Sequence, residues 1–337
     1  MLTSFLNKTL AGIDLTPEEA GDALSLIASG SPAEAQVAAF LAALRMKGES
    51  VSELVGGARL MRRNANRIDV GARECVDVVG TGGDGGRSFN ISTTSAIVAA
   101  GAGVSIAKHG NRAVSGKSGA AAMPAALGYS LAMRPERIEE CIAEHGIGFM
   151  FAQRMHPLMG KVAPVRKALK VRTIFNMLGP LANPAGVKRM VVGVYDERLT
   201  ELFAAALREL GVEHALVVHG NDGLDEITCC DTTRVTELKN GILRSFELYP
   251  ELLIGTSFEP EEIAGGTPEE NAAIARSVIE GVDHGARRAV VVLNAAAACY
   301  VAGLAPELKD AVSLAEESID SGRAKEKLDI LIKESGL

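Results

Sequence analysis

VVGTGGDGGRSFNIST, residues 78–93, joins the end of a β-branched apolar run to the start of a helical run of small residues. Gly80, Gly82 and Gly85 match the G-x-G-x-x-G pattern of a dinucleotide-binding turn, which also follows a strand. Two requirements of that motif fail. Its helix should open inside the glycines, whereas here the chain runs on through GRSFNIST and a helix can start only near Thr93. A ribose-binding carboxylate should follow about 20 residues later, but after Asp84 no acidic residue occurs before Glu136. The loop is therefore not read as a dinucleotide site.

The acid-free interval suggests another anion. Residues 85–135 carry Arg87, Lys108, Arg112, Lys117 and Arg134 with no carboxylate, in a protein of net charge −7. Backbone N–H groups, hydroxyls and a few cations suit a phosphate, and a helix starting near Thr93 would direct its N-terminal dipole at it. The competing reading is a surface loop with incidental bases. HGNDGLDEIT, residues 219–228, places Asp222, Asp225 and Glu226 at the end of another apolar run. Adjacent carboxylates beside a polyphosphate suit magnesium, which takes one or two protein oxygens and completes its shell with phosphate and water. Taken alone, the same residues could form a solvated acidic turn.

Outward from these segments the chain has two rhythms. TPEE, SPAE and SVSE, at residues 16–19, 31–34 and 50–53, match the capping-box pattern, and the first two place proline at the first helical position. Gly30 and Gly48 fall where helices should stop, so residues 1–66 are expected to form a small helical domain. Beyond residue 70, CVDVVG, GVSIAKHG, RMVVGVY and HALVVHG are short, β-branched and glycine-terminated, and amphipathic segments separate them. This alternation predicts a larger α/β domain over residues 70–337 with a mostly parallel sheet. Asn240-Gly241 inside RVTELKNGILRSFEL predicts a type I′ hairpin at its edge. The proline-bounded residues 163–184 read as short helices that form part of a hinge.

Bulk properties exclude other classes. With 35 basic and 42 acidic residues, the chain does not read as a nucleic-acid binder. It has no apolar run long enough for a membrane span, and no leader pattern opens it. Its five cysteines form no C-x-x-C pair, which argues against a disulfide framework or zinc site and fits a cytoplasmic protein.

GTGGDGGRSFNIST, AKHGNRAVSGKSG (107–119), VRKALKVRTIFNMLGPLANP and VHGNDGLDEIT together resemble the anthranilate phosphoribosyltransferases, in order and spacing, over nearly the whole chain. The resemblance implies a small helical domain hinged to a larger α/β domain, a fold of the nucleoside phosphorylase and phosphoribosyltransferase kind. It implies a homodimer that uses phosphoribosyl pyrophosphate, anthranilate and magnesium, the last as two ions. Gly80, Gly83, Asp84, Ser88, Asn90, Ile91, Ser92 and Thr93 would then hold the pyrophosphate and ribose. Lys108, His109, Gly110, Asn111, Arg112, Ala113, Val114, Ser115 and Gly116 would hold that substrate from the other side, with Ala120 beside them. Asn111 and Arg166 would contact anthranilate, with Gly80, His109 and Gly179 lining its approach. Ser92, Asp225 and Glu226 would serve the metal. His109 is the nearest candidate for a general base, although an ordinary loop histidine is an equal reading.

Some residues depart from the family pattern. KSGAAAMPAALG stands where relatives often have KSGSADVLEALG, so Ala120 and Ala122 replace a hydroxyl and an acid, and Met123-Pro124 alters the helix start. Two rival readings are a pyrimidine nucleoside phosphorylase, which would carry a KHSTGG-like loop instead of KHGNR, and a nucleic-acid-binding relative that would have lost the acidic pair.

Overall fold

The computed structural model describes residues 1–83, 88–111 and 122–336. Four helices open the chain: α1 (Leu2–Leu10), α2 (Pro17–Ser29), α3 (Glu34–Lys47) and α4 (Val51–Arg63). Thr16 and Ser50 close reciprocal capping boxes with Glu19 and Glu53. SPAE does not. Helix α3 begins at Glu34 with Ala33 as its cap, so Pro32 lies outside it. Ser31 instead pairs with the Ser29 hydroxyl at 2.6 Å, a local bond that competes with capping.

The remaining chain builds a seven-stranded sheet of order β3-β2-β1-β4-β5-β6-β7. Its strands are β1 (Val76–Gly80), β2 (Ile106–Gly110), β3 (Ile147–Phe151), β4 (Arg189–Gly193), β5 (His214–Gly220), β6 (Thr233–Lys239) and β7 (Ile242–Leu248). The first five are parallel, and β6 and β7 are antiparallel. Asn240 and Gly241 both have positive φ, at 52° and 80°, as the I′ turn requires. Strand β3 has no counterpart in the sequence reading: IGFMF is apolar throughout, and a run buried on both faces has no alternation to reveal it.

This order makes β1 and β4 the switch point. From β1 the chain winds outward through β2 and β3, then crosses back to β4 and winds the other way. Right-handed crossovers in opposite directions put their helices on opposite faces. Helix α5 (Ile91–Gly101) and the buried helix Ala286–Ala302 cover β1 and β4, and Leu199–Glu209 packs on β5 and β6. Leu199–Glu209 also meets α4, as does Ile174–Leu181, so the bundle sits on the sheet domain through a second helical layer. Arg62 of α4 pins this contact by donating from Nε to the Leu181 carbonyl at 2.8 Å. Ligands of such sheets bind beyond the C-terminal ends of the strands at the switch point, and glycines end β1, β2, β4 and β5 there.

Candidate active site

Helix α5 starts at Ile91 with Asn90 as its cap, two residues earlier than the sequence suggests. Ser92 and Thr93 therefore lie in its first turn, where N–H groups lack intrahelical acceptors. The glycine loop, this helix end and the acidic turn after β5 enclose one cavity of about 240 Å³. Gly80, Gly83, Ser88, Asn90, Ile91 and Ser92 line it on one side, and Lys108, His109, Gly110 and Asn111 on another. Arg166 and Gly179 of the hinge segment line it too, as do Asp225 and Glu226. Thr93 is absent from that wall. Its side chain is buried beside a small apolar cavity beneath Lys108. Asp84, Arg112, Ala113, Val114, Ser115, Gly116 and Ala120 lie outside the described residues.

The acidic turn is held tightly over the strand ends. Asp225 and Glu226 are only 7% and 8% exposed, and Asp225 Oδ2 accepts the Gly82 N–H at 2.8 Å. A Cβ on Gly80 would stand 2.7 Å from Asp225 Oδ2, and one on Gly193 would stand 1.6 Å from the Asp225 carbonyl oxygen. Glycine ends these two strands because the turn crosses directly above them. From below, buried Asn294 accepts the Ile227 N–H at 3.0 Å and donates to the Ile227 carbonyl at 2.8 Å. Asp222 instead braces the turn, accepting from the Thr228 hydroxyl at 2.6 Å and the Leu224 N–H at 3.1 Å.

A buried polar line runs under the cavity. Lys108 donates from Nζ to the Val78 carbonyl and, at 3.3 Å, to Ser92 Oγ. Burial lowers its pKa, against the pull of Asp77 and Glu226. Asp77 accepts the His109 N–H at 3.0 Å and Asn183 Nδ2 at 2.7 Å. Desolvation still raises its pKa to about 6. Burial and neighbouring His156 pull His109 down to about 3, so its ring is neutral. Nδ1 faces the Gly179 carbonyl at 3.2 Å and takes the donor role, while buried Nε2 has no partner among the described residues. A group of such low basicity can accept a hydrogen bond from a ligand but does not carry a proton at neutral pH.

Arg166 supplies the opposite charge. Its guanidinium stands 5.9 Å from the Phe175 ring centre and makes no side-chain hydrogen bond among the described residues. A half-buried guanidinium without a protein carboxylate suits a ligand carboxylate, which it can bind bidentately. Met61, Ala152, Gln153, His156, Met159 and Asn176 also line the cavity. Sequence reasoning missed them because apolar or uncharged side chains scattered over separate elements carry no local motif. Asp77 had a faint signal, as the only charge inside the apolar run CVDVVG.

The cavity thus lies at a strand switch point, lined by the first turn of a helix, a carboxylate pair and, from the helical bundle, Met61. Residues 3–65 match the model of the glycosyl transferase family helical bundle domain, and residues 72–325 match that of its a/b domain. Anthranilate phosphoribosyltransferases of Desulfatibacillum aliphaticivorans and Syntrophobacter fumaroxidans are 50% and 52% identical to it, each over 99% of this chain and 98% of the relative. The solved anthranilate phosphoribosyltransferase of Thermus thermophilus superposes with a TM-score of 0.93 at 42% identity, covering 99% of both chains. That of Saccharomyces cerevisiae, in complex with PRPP and Mg, gives 0.90 at 29% identity, over 99% of this chain and 98% of its own. The chain belongs to the anthranilate phosphoribosyltransferase family.

Proposed function

We propose that the chain transfers the phosphoribosyl group of phosphoribosyl pyrophosphate to the amine of anthranilate, giving N-(5-phosphoribosyl)anthranilate and pyrophosphate, a step of tryptophan biosynthesis. One observation carries this reading: a single cavity is lined both by Arg166, a guanidinium with no hydrogen-bond partner among the described residues, and by the buried pair Asp225-Glu226. The first suits an aromatic carboxylate and the second a metal-bound diphosphate. Yeast relatives solved with PRPP and Mg, and with 4-fluoroanthranilate, lend support.

The chain's residues divide the work. The first turn of α5, through Ser92, faces charge that grows on the departing pyrophosphate. Asp225, Glu226 and the Ser92 hydroxyl would hold magnesium, which we take as two ions. Two buried carboxylates, with no cluster of three acids, histidines or cysteines among the described residues, fit a cation that shares its shell with substrate phosphate rather than an all-protein cage. Bound there, magnesium supplies positive charge to the leaving group. Lys108, His109, Gly110 and Asn111 face the same substrate. Arg166 and Asn111 orient anthranilate so that its amine meets C1, a positional contribution. His109 is placed to accept an amine hydrogen bond through Nε2; no general base is assigned. The bundle and residues 163–184 exclude water from the activated ribose.

Three further features belong to this reading. The α/β domain, residues 70–337, carries the substrate loops, and the bundle, residues 1–66, moves against it on the hinge. The enzyme is a homodimer, with which the exposed Leu10, Ile13 and Met46 of the bundle are compatible. It works in the cytoplasm; no helix among the described residues is long and apolar enough to cross a membrane.

Mass analysis of the products tests the reaction: equal amounts of phosphoribosylanthranilate and pyrophosphate are expected, and pyrophosphate without the adduct would refute transfer. Arg166→Ala tests the anthranilate end. The apparent KM for anthranilate should rise by about 10- to 100-fold, the range for a lost charge-assisted pair, while that for phosphoribosyl pyrophosphate changes little. An unchanged anthranilate KM would remove Arg166 from the site.

A further inference from the structure

One cluster beside the glycine loop has no part in the chemistry above. Arg172 lies between the helices Ala163–Leu169 and Ile174–Leu181. Its guanidinium carbon stands 3.9 Å from the centre of the Tyr195 ring, and its Nη2 donates to the Gly83 carbonyl at 3.1 Å. Tyr195 follows β4, and its backbone N–H donates to Thr81 Oγ1 at 3.1 Å. The N–H of Thr81 in turn reaches the Gly193 carbonyl at 2.9 Å. On the outer side, Arg45 of α3 donates to the Tyr195 hydroxyl at 3.3 Å. One tyrosine thus touches the bundle, the hinge segment and the loop that follows β1.

Gly83 is shaped for this contact. A Cβ there would lie 2.4 Å from Arg172 Nη2 and 2.7 Å from Tyr195 Cβ, and its φ of +146° is one that other residues rarely adopt. A guanidinium stacked on an aromatic face keeps its N–H groups in one plane at its edge. The stack therefore fixes the direction from which Arg172 grips the loop carbonyl. Its Nη1 is buried and makes no hydrogen bond among the described residues. Lysine or an apolar side chain could fill the space but could not hold both contacts.

We propose that Arg172 and Tyr195 form a positioning clamp that sets the glycine loop, through Gly83, in the conformation that receives the diphosphate-bearing substrate. Arg45 ties the clamp to the helical bundle. Neither residue is catalytic; both act through the loop backbone. The proposal rests on the transferase reading and extends it to a pair of residues that touch no reacting atom.

The test uses the full chain with Arg172→Met, Tyr195→Leu and Tyr195→Phe, assayed beside the wild type. The apparent KM for phosphoribosyl pyrophosphate should rise by about tenfold or more in the first two, with the anthranilate KM within about twofold. Tyr195→Phe keeps the ring and loses only the link to Arg45, so it should stay within about threefold of wild type. A merely structural role would lower the midpoint of thermal unfolding and shift both KM values together. Equal shifts in both, or no shift in either variant, would overturn the clamp. Calorimetric binding of phosphoribosyl pyrophosphate with magnesium, without anthranilate, should weaken by the same factor. If one variant fails to fold, the other decides. Wild-type protein that binds phosphoribosyl pyrophosphate but makes no adduct would sink the transferase reading, while the binding comparison still judges the clamp.

Discussion

Replacing Asp225 and Glu226 together by alanine is expected to abolish turnover, lowering kcat by at least about a thousandfold, or roughly 4 kcal/mol of transition-state stabilisation. Both carboxylates are buried against the cavity, and the described residues contain no cluster of three acids, histidines or cysteines that could hold a cation in their place. The main-chain course of the turn should survive the change, because Asn294, Asp222 and Thr228 also hold it, while the Gly82 N–H loses its acceptor. Thermal unfolding should still be cooperative, so that the lost turnover is not a lost fold. Initial rates of pyrophosphate release, measured over a magnesium titration, check this. Activity within about tenfold of wild type would contradict the assignment of the pair.

Gly193→Ala should lower the rate by about a hundredfold from a position with no chemistry of its own. A Cβ there would lie 1.6 Å from the Asp225 carbonyl oxygen and 2.5 Å from its carbon. Backbone cannot rotate away as a side chain tip can, so either β4 sinks or the acidic turn lifts. Overpacking of this kind costs about 1–3 kcal/mol of stability. A displacement on the order of 1 Å in a positioned group costs about a hundredfold in rate. Gly160→Ala is the control, since nothing lies within 4 Å of a Cβ there. Thermal unfolding and kcat/KM measured together should show a modest loss of stability and a much larger loss of rate. Wild-type kinetics would mean that the turn tolerates displacement and that its close approach to β4 is incidental.

The difference between these two variants marks what could be read in advance. Asp225 and Glu226 announce themselves as neighbouring acids at the end of an apolar run. Gly193 sits inside RMVVGVY, and nothing in that run says that a turn from beyond β5 will cross above it. Its constraint is tertiary. The same division holds across the fold. TPEE and SVSE close as capping boxes because the bonds lie within four residues. SPAE fails because Ser29 offers Ser31 a nearer partner. Four parallel strands and the hairpin are legible from glycine punctuation and the Asn-Gly turn, whereas β3, apolar on both faces, leaves no period to detect.

At the site, the cavity-lining residues of the glycine loop and the first turn of α5 are legible because contiguous glycines and hydroxyls form a local pattern. Arg166 lines the cavity among residues from several short helices, and only its resemblance to the family singles it out. Asp77, Asn183 and Asn294 hold the site from below through bonds spanning 32, 106 and 67 residues. No local pattern encodes such distances. His109 is open to two readings in the sequence. Its burial and its bond to the Gly179 carbonyl leave a neutral acceptor and argue against a proton carrier.

The central claim is that one cavity brings an anthranilate carboxylate and a metal-bound diphosphate together for transfer. The fluorescence of anthranilate, followed as phosphoribosyl pyrophosphate is added to the folded protein with and without magnesium, tests it most directly. Anthranilate fluorescence is expected to fall rapidly only when both magnesium and phosphoribosyl pyrophosphate are present, and to hold steady when either is withheld. Anthranilate that persists with both present, or is consumed equally after chelation of magnesium, would contradict it.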